Sequence, residues 1–160
     1  MNTWPESKQK NYLCAEESCG ASPLLLTFKE EILNYPKSLL DMSRELGELY
    51  EIKEIDLETC LYRNFDNGFD VEISGICSRK RKVNRKIIIW LWWIGSKQNK
   101  TVNAQIIRHV VDIPYDSHAI HSVTEKLYQY SNRLLAEGCN VNDIIQVNPD
   151  RFTYSEYIGL

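Results

Sequence analysis

Ile87-Ile88-Ile89-Trp90-Leu91-Trp92-Trp93-Ile94 is apolar at every position and closes on Gly95. A membrane span takes about 20 such residues, so this run is far too short to be one. It reads instead as a β-strand packed on both faces, the pattern of a central position in a sheet. Successive residues of a strand point to opposite faces, so Trp92 and Trp93 cannot occupy the same core. That parity argument governs everything else read from the chain.

Upstream of this run, Ile55, Leu57, Thr59 and Leu61 alternate with Asp56, Glu58, Cys60 and Tyr62, the pattern of a half-buried strand. Asp66-Asn67-Gly68 supplies turn chemistry, and Phe69, Val71 and Ile73 then alternate with Asp70, Glu72 and Ser74, which predicts an antiparallel hairpin. Before the strands, Ser22-Pro23 starts a helical pattern at Leu25, Phe28, Ile32 and Leu33; Pro36 interrupts it, and Leu39, Leu40, Met42 and Leu46 resume it up to Gly47. Two short helices or one kinked helix fit this pattern, with a short strand at 24–28 as the competing reading.

Downstream, Ser96 to Lys100 is a polar turn, and Val102, Ala104, Ile106 and Val110 form a fourth strand whose alternation Arg108 breaks and Pro114 ends. Asp116 or Ser117 caps a helix with Ile120, Val123, Leu127, Tyr130 and Leu134 on one stripe, stopped by Gly138. Asp143 to Val147 is a candidate fifth strand, leading into Phe152, Tyr154 and Tyr157. The order predicts an α+β fold: an antiparallel four- to five-stranded meander sheet with N-terminal and C-terminal helices packed on one face. Residues 1–21 read as a flexible N-terminal arm, and 22–160 as a single domain.

The formal net charge of -3 hides a segregation. Six of the nineteen basic residues lie in Arg79-Lys80-Arg81-Lys82-Val83-Asn84-Arg85-Lys86, which leaves -9 on the remainder. A broad nucleic-acid surface is basic over a wide area, whereas this is one basic hairpin tip on an acidic body. Five cysteines at irregular spacing do not form a disulfide framework, and with no apolar leader in the first twenty residues the expected compartment is the cytoplasm.

Three kinds of function follow as expectations. The first is a non-catalytic interaction or adaptor protein that binds a protein partner, or a second copy of itself, through Trp90, Trp92 and Trp93 together with Tyr62 and Ile76. Exposed contiguous aromatic surface of this kind marks contact sites. The competing account is that the arm with Trp4 and Tyr12, or the tail with Phe152, Tyr154 and Tyr157, folds over that face. The second is a nucleic-acid-binding module using Arg79, Arg81, Lys82, Arg85 and Lys86, against which stand Glu45, Glu48, Glu51, Glu54, Asp56, Glu58, Asp70 and Glu72. The third is an enzyme of unknown class.

No catalytic set, metal or cofactor is expected. His118, His121 and Glu125 share a helix face but point away from the apolar stripe, as solvated residues do. Cys14 and Cys19 lack the second pair that a zinc site requires. The alternating acids, Glu58 and Glu72 among them, read as surface charges.

Overall fold

The computed structural model describes residues 35–95, 100–138 and 148–160, with the backbone alone at 100–103. The chain divides into two units, Met1–Lys37 and Ser38–Leu160, and the whole sheet belongs to the second. The predicted arm, the predicted helical pattern from Ser22 to Leu33 and the candidate strand at 143–147 lie outside the described residues.

The apolar run forms β4 (Lys86–Gly95), flanked by β3 (Phe69–Ser74) and β5 (Lys100–Pro114). β1 (Glu51–Ile55), β2 (Glu58–Asn64) and β6 (Asp150–Thr153) complete a six-stranded sheet in the order β1-β2-β3-β4-β5-β6. The helices are α1 (Lys37–Leu46), α2 (Ser117–Ala136) and α3 (Tyr154–Gly159). The architecture is α+β, as the sequence predicts, but the sheet is mixed and larger than expected. The first five strands pair antiparallel, and β6 runs parallel to β5. The long helix is the reason, because a crossover through α2 brings the chain back in the direction of β5.

Two further corrections concern the strands. The alternation over Ile55–Tyr62 is two strands joined by a tight turn rather than one. Asp56 (φ 49°) and Leu57 (φ 67°) both adopt left-handed backbone, as a two-residue hairpin loop of matching twist requires. Leu57, which alternation assigns to the core, is 94% exposed. The apolar and polar residue types go on alternating through the turn, so the reversal is silent in the sequence, although pairing Ile55 with Glu58 moves Ile55 to the face opposite Leu61. In β5, register shifts opposite Ile87/Ile89 and Leu91/Trp92 and a left-handed Asp112 (φ 59°) interrupt alternation in a fifteen-residue strand.

Register sorts side chains into two faces. Ile52, Leu61, Ile73, Ile89, Val110 and Phe152 are successive cross-strand neighbours, forming an apolar row across all six strands. Ile87, Leu91, Trp93, Val71 and Phe69 extend this face, all buried. α2 lies on this side: Phe65 meets Tyr128 edge-on at 5.1 Å, and Arg63 on β2 donates to Glu125 at 2.6 Å. Asp116 caps α2 by accepting from the Ala119 amide, and Ile120, Val123, Leu127 and Leu134 form its buried stripe. Each such side chain stabilises the fold by about 2 kcal/mol on burial.

The tail joins the same side. Thr153 and Glu156 form a capping box at the start of α3, and Lys126 on α2 donates to the Tyr157 carbonyl at 3.0 Å. Arg108, where the predicted alternation fails, is the anchor: its guanidinium lies 3.6 Å from the Tyr130 ring centroid and 4.9 Å from that of Phe152, and it pairs with Asp150 at 2.9 Å. No described helix is long and apolar enough to cross a membrane.

Candidate partner-binding face

The opposite parity gives a row of a different kind. Glu51, Tyr62, Glu72, Trp90, His109 and Arg151 are successive cross-strand neighbours from β1 to β6. Beside this row Asn64, Asp70, Trp92 and Ile106 align, and Lys53 with Cys60 and Ser74 with Ile88 continue the face. The sheet thus carries aliphatic side chains towards α2 and interleaved aromatic and charged ones on the other side.

The polar groups of this face hold one another. Tyr62 donates its hydroxyl to Asp70 Oδ2, and Lys53 Nζ sits 3.4 Å from the Tyr62 ring centroid. Trp92 Nε1 donates to Glu72 Oε2 at 3.2 Å, and Ser74 Oγ donates to Glu72 Oε1 at 3.0 Å. Trp90 stacks on His109, with ring centroids 4.8 Å apart and planes inclined by 28°. Asp70 is 2% exposed and Glu72 8%. These two carboxylates are therefore buried, contrary to the surface position that alternation predicts. The missed signal is the cross-strand company of Tyr62 and Trp92, aromatics large enough to cover their acidic neighbours.

Burial drives the titration of this face, since a low-dielectric setting disfavours the charged form. Asp70 is pushed up to about 6 by burial, against the pull of the Tyr62 hydrogen bond and Lys53, with Glu72 adding to the rise. Glu72 is also raised by burial, against its bonds from Ser74 and Trp92. Burial lowers Lys53, raises Tyr62, and pushes the Cys60 thiol up to about 12. His109 is lowered by burial and by the positive charge of Arg151, and its buried Nδ1 has no hydrogen-bond partner among the described residues. Four carboxylates (Glu51, Glu58, Asp70 and Glu72) share the face with Lys53, Arg151 and, at the exposed start of β4, Lys86.

The residues singled out from the sequence distribute unequally. Trp90 and Trp92 are half-buried on this face. Trp93 points the other way, packed edge-on against Phe69 at 4.7 Å and over Gly68. Tyr62 belongs to the face but is buried beneath Lys53, and Ile76 is 1% exposed in the loop after β3. The tail does not compete for this surface, because Phe152 and Tyr157 pack with Arg108 on the α2 side.

The basic stretch is no narrow hairpin tip. It lies in an eleven-residue connection between β3 and β4 that contains a 3-10 turn at Lys82–Asn84. Arg79 to Asn84 and Lys86 are exposed, while Arg85 is half-buried, donating to the carbonyls of Lys80 and Ile76 at 2.8 and 2.9 Å.

On α2, His118 is exposed and Glu125 is engaged by Arg63. His121 Nδ1 lies 3.0 Å from the Tyr50 hydroxyl. Among the described residues no group of three His, Cys, Asp or Glu side chains is placed to hold a metal ion. Arg63 itself escaped the sequence reading: it is 8% exposed, with the rings of Tyr50, Phe65 and Tyr128 within 6 Å of its guanidinium.

Comparison with protein-family models, with curated proteins and with solved structures finds no match.

Proposed function

We propose that this chain is a non-catalytic protein-interaction module whose contact surface is the Trp90/Trp92 face of the sheet, and that its partner offers a cationic polypeptide segment. The single observation that carries this reading is the row Glu51-Tyr62-Glu72-Trp90-His109-Arg151 with its neighbours Asp70 and Trp92, in which half-buried tryptophans stand beside buried carboxylates. Tryptophan is a frequent interface anchor, giving large contact area at low entropic cost. Two desolvated acids with raised pKa values favour a neighbouring positive charge, because a cation at 4–6 Å restores their ionised form. Complementary charge would then set the orientation and rate of encounter, with the indoles providing contact area. Arginine and lysine side chains suit both demands, since they pair with carboxylates and stack on indole faces.

The test is fluorescence anisotropy with a labelled Arg/Lys-rich peptide at about 0.15 M salt, near physiological ionic strength. Trp90→Ala and Trp92→Ala are each expected to weaken binding at least tenfold while circular dichroism stays unchanged. Binding that ignores both substitutions refutes the reading. A sedimenting dimer dissolved by Trp92→Ala would assign the surface to a second copy and refute the cationic-segment partner.

A further inference from the structure

The row that crosses the tryptophan face is polarised along its length. Its β1–β3 end carries Glu51 and Glu72 with Asp70 alongside, whereas its β6 end carries Arg151. Lys53 does not reverse that polarity, because it lies on the Tyr62 ring and 3.9 Å from Glu51. Lys86 sits at the exposed start of β4, away from the row.

The β5–β6 end holds two donors with nothing to accept from them. Arg151 is exposed and makes no ion pair among the described residues. The acids nearest to it in the chain are committed elsewhere. Asp150 pairs with Arg108 on the α2 side at 2.9 Å, and Glu156 accepts from the Thr153 amide in the capping box of α3.

His109, its neighbour across the strands, has a buried Nδ1 without a hydrogen-bond partner among the described residues. A proton there would be a stranded donor, which is costly, so the ring proton sits on Nε2. Nε2 makes no hydrogen bond among the described residues either, but it is not buried. A second proton is opposed by burial of the ring and by the charge of Arg151, which keeps the imidazole neutral. Trp90, stacked at 4.8 Å, fixes the ring plane.

We infer that His109 and Arg151 form a carboxylate subsite at the β5–β6 end of the tryptophan face, taking an aspartate or glutamate side chain from the same partner segment whose cation meets Glu72 and Asp70. The inference rests on the proposed reading of that face and adds the partner's charge spacing. A guanidinium pairs with a carboxylate through charge-assisted hydrogen bonds, and the histidine N–H supplies a further donor. The spacing follows from the sheet. Glu72 on β3 and Arg151 on β6 are three inter-strand steps apart, about 14 Å at roughly 4.8 Å per step. An extended segment laid across the strands advances about 3.3 Å per residue, so about four residues cover that span. An even separation also keeps both charged side chains on the sheet side of the segment. The residue midway between them falls on Trp90, where an apolar side chain fits.

Fluorescence anisotropy with labelled peptides, acetylated and amidated at their ends, tests the proposal. One peptide carries an arginine, a central leucine and a glutamate four positions from the arginine. The second has glutamine in place of the glutamate, and the third has the glutamate three positions from the arginine. On a protein of net charge -3 the added negative charge by itself weakens binding, so a gain from glutamate is specific. The first peptide is expected to bind about fivefold more tightly than the second, the range of a partly exposed ion pair. The third should show no gain. Arg151→Gln should abolish the gain while leaving the glutamine peptide within about twofold of its parent affinity, since only the acid-dependent contact is lost. His109→Phe, which keeps a ring on Trp90 and removes the N–H, should reduce the gain with circular dichroism unchanged. A glutamate peptide no tighter than its glutamine counterpart overturns the inference, as does a gain that survives Arg151→Gln. Equal gain at three-residue spacing refutes the extended crossing. A peptide without glutamate that gains through Arg151 only when its C-terminus is left free would assign the subsite to a chain end and refute the side-chain ligand. Trp92-dependent binding of the glutamine peptide with no effect of glutamate sinks this inference alone, whereas no binding by any peptide sinks the reading of the face with it.

Discussion

Replacing Asp70 with Asn reads the character of the tryptophan face directly. Asp70 is 2% exposed and its folded pKa is about 6, against an ordinary value of 3.8. The folded state therefore binds the Asp70 proton more tightly than the unfolded state does. Stability from this group is complete below the unfolded pKa and is lost as pH rises from about 4 to about 6, levelling above that. Two pKa units at 1.36 kcal/mol each give a loss of about 3 kcal/mol. Asparagine preserves an acceptor for the Tyr62 hydroxyl and removes the charge, although its amide N–H groups need partners at a cost of about 1 kcal/mol. Asp70→Asn is thus expected to stabilise the protein by about 2 kcal/mol at pH 7 and to fall about 1 kcal/mol below the parent near pH 3.5. Urea unfolding at half-unit intervals between pH 3.5 and 7.5 measures this. The parent-minus-variant difference isolates Asp70 from the other carboxylates. A difference that is constant with pH, or that favours the parent more as pH rises, refutes the claim that Asp70 is a desolvated acid.

Other outcomes follow from the packing. Gly68→Ala should cost about 3 kcal/mol, because left-handed backbone (φ 94°) is combined with a Cβ placed 2.5 Å from Trp93 Cζ3. Gly47→Ala, equally left-handed (φ 92°) but with nothing within 4 Å, should cost only about 1 kcal/mol in the same melt. Arg108→Met should release β6 and α3, seen as faster amide exchange over 150–159, with little change in β2 and β3. Cys60, 1% exposed with its thiol pushed up to about 12, should resist iodoacetamide in the native protein at pH 8 and react after unfolding, as peptide mass spectrometry will report.

The parts of the fold legible in the sequence are those where side-chain periodicity and turn chemistry agree. β4 announces itself by apolar residues on both parities, and the β2–β3 turn by Asp66 and Gly68, which adopt φ of 57° and 94°. The cap at Asp116 and the stop at Gly138 bound α2 because both serve the helix's own orphan groups. β1 was hidden because residue types keep alternating through Asp56-Leu57, although the turn itself shifts which face each parity meets. β5 blurred at Arg108 and Asp112, where bulges re-aim side chains and aromatic rings shelter a cation. β6 is four residues long, and its parallel pairing depends on where α2 returns the chain, a distance no local pattern encodes.

The tryptophan face was legible in part. Parity alone shows that Trp92 and Trp93 diverge, but it does not say which of them meets α2. That choice follows from register, with Trp93 opposite Phe69 and Trp92 opposite Asp70. The buried state of Asp70 and Glu72 was not legible, because an alternating acid has the same sequence pattern whether water or an indole lies above it. The meeting of His109 with Arg151 was also beyond reach, because it depends on the parallel register of β6 against β5.

The most direct test of the partner-binding account is the response of the indole N–H resonances of Trp90, Trp92 and Trp93 to an Arg/Lys-rich peptide added to 15N-labelled protein. The account predicts saturable shifts at Trp90 and Trp92, with Trp93 essentially unmoved beneath α2. Equal movement of all three signals, or movement of Trp93 alone, contradicts it.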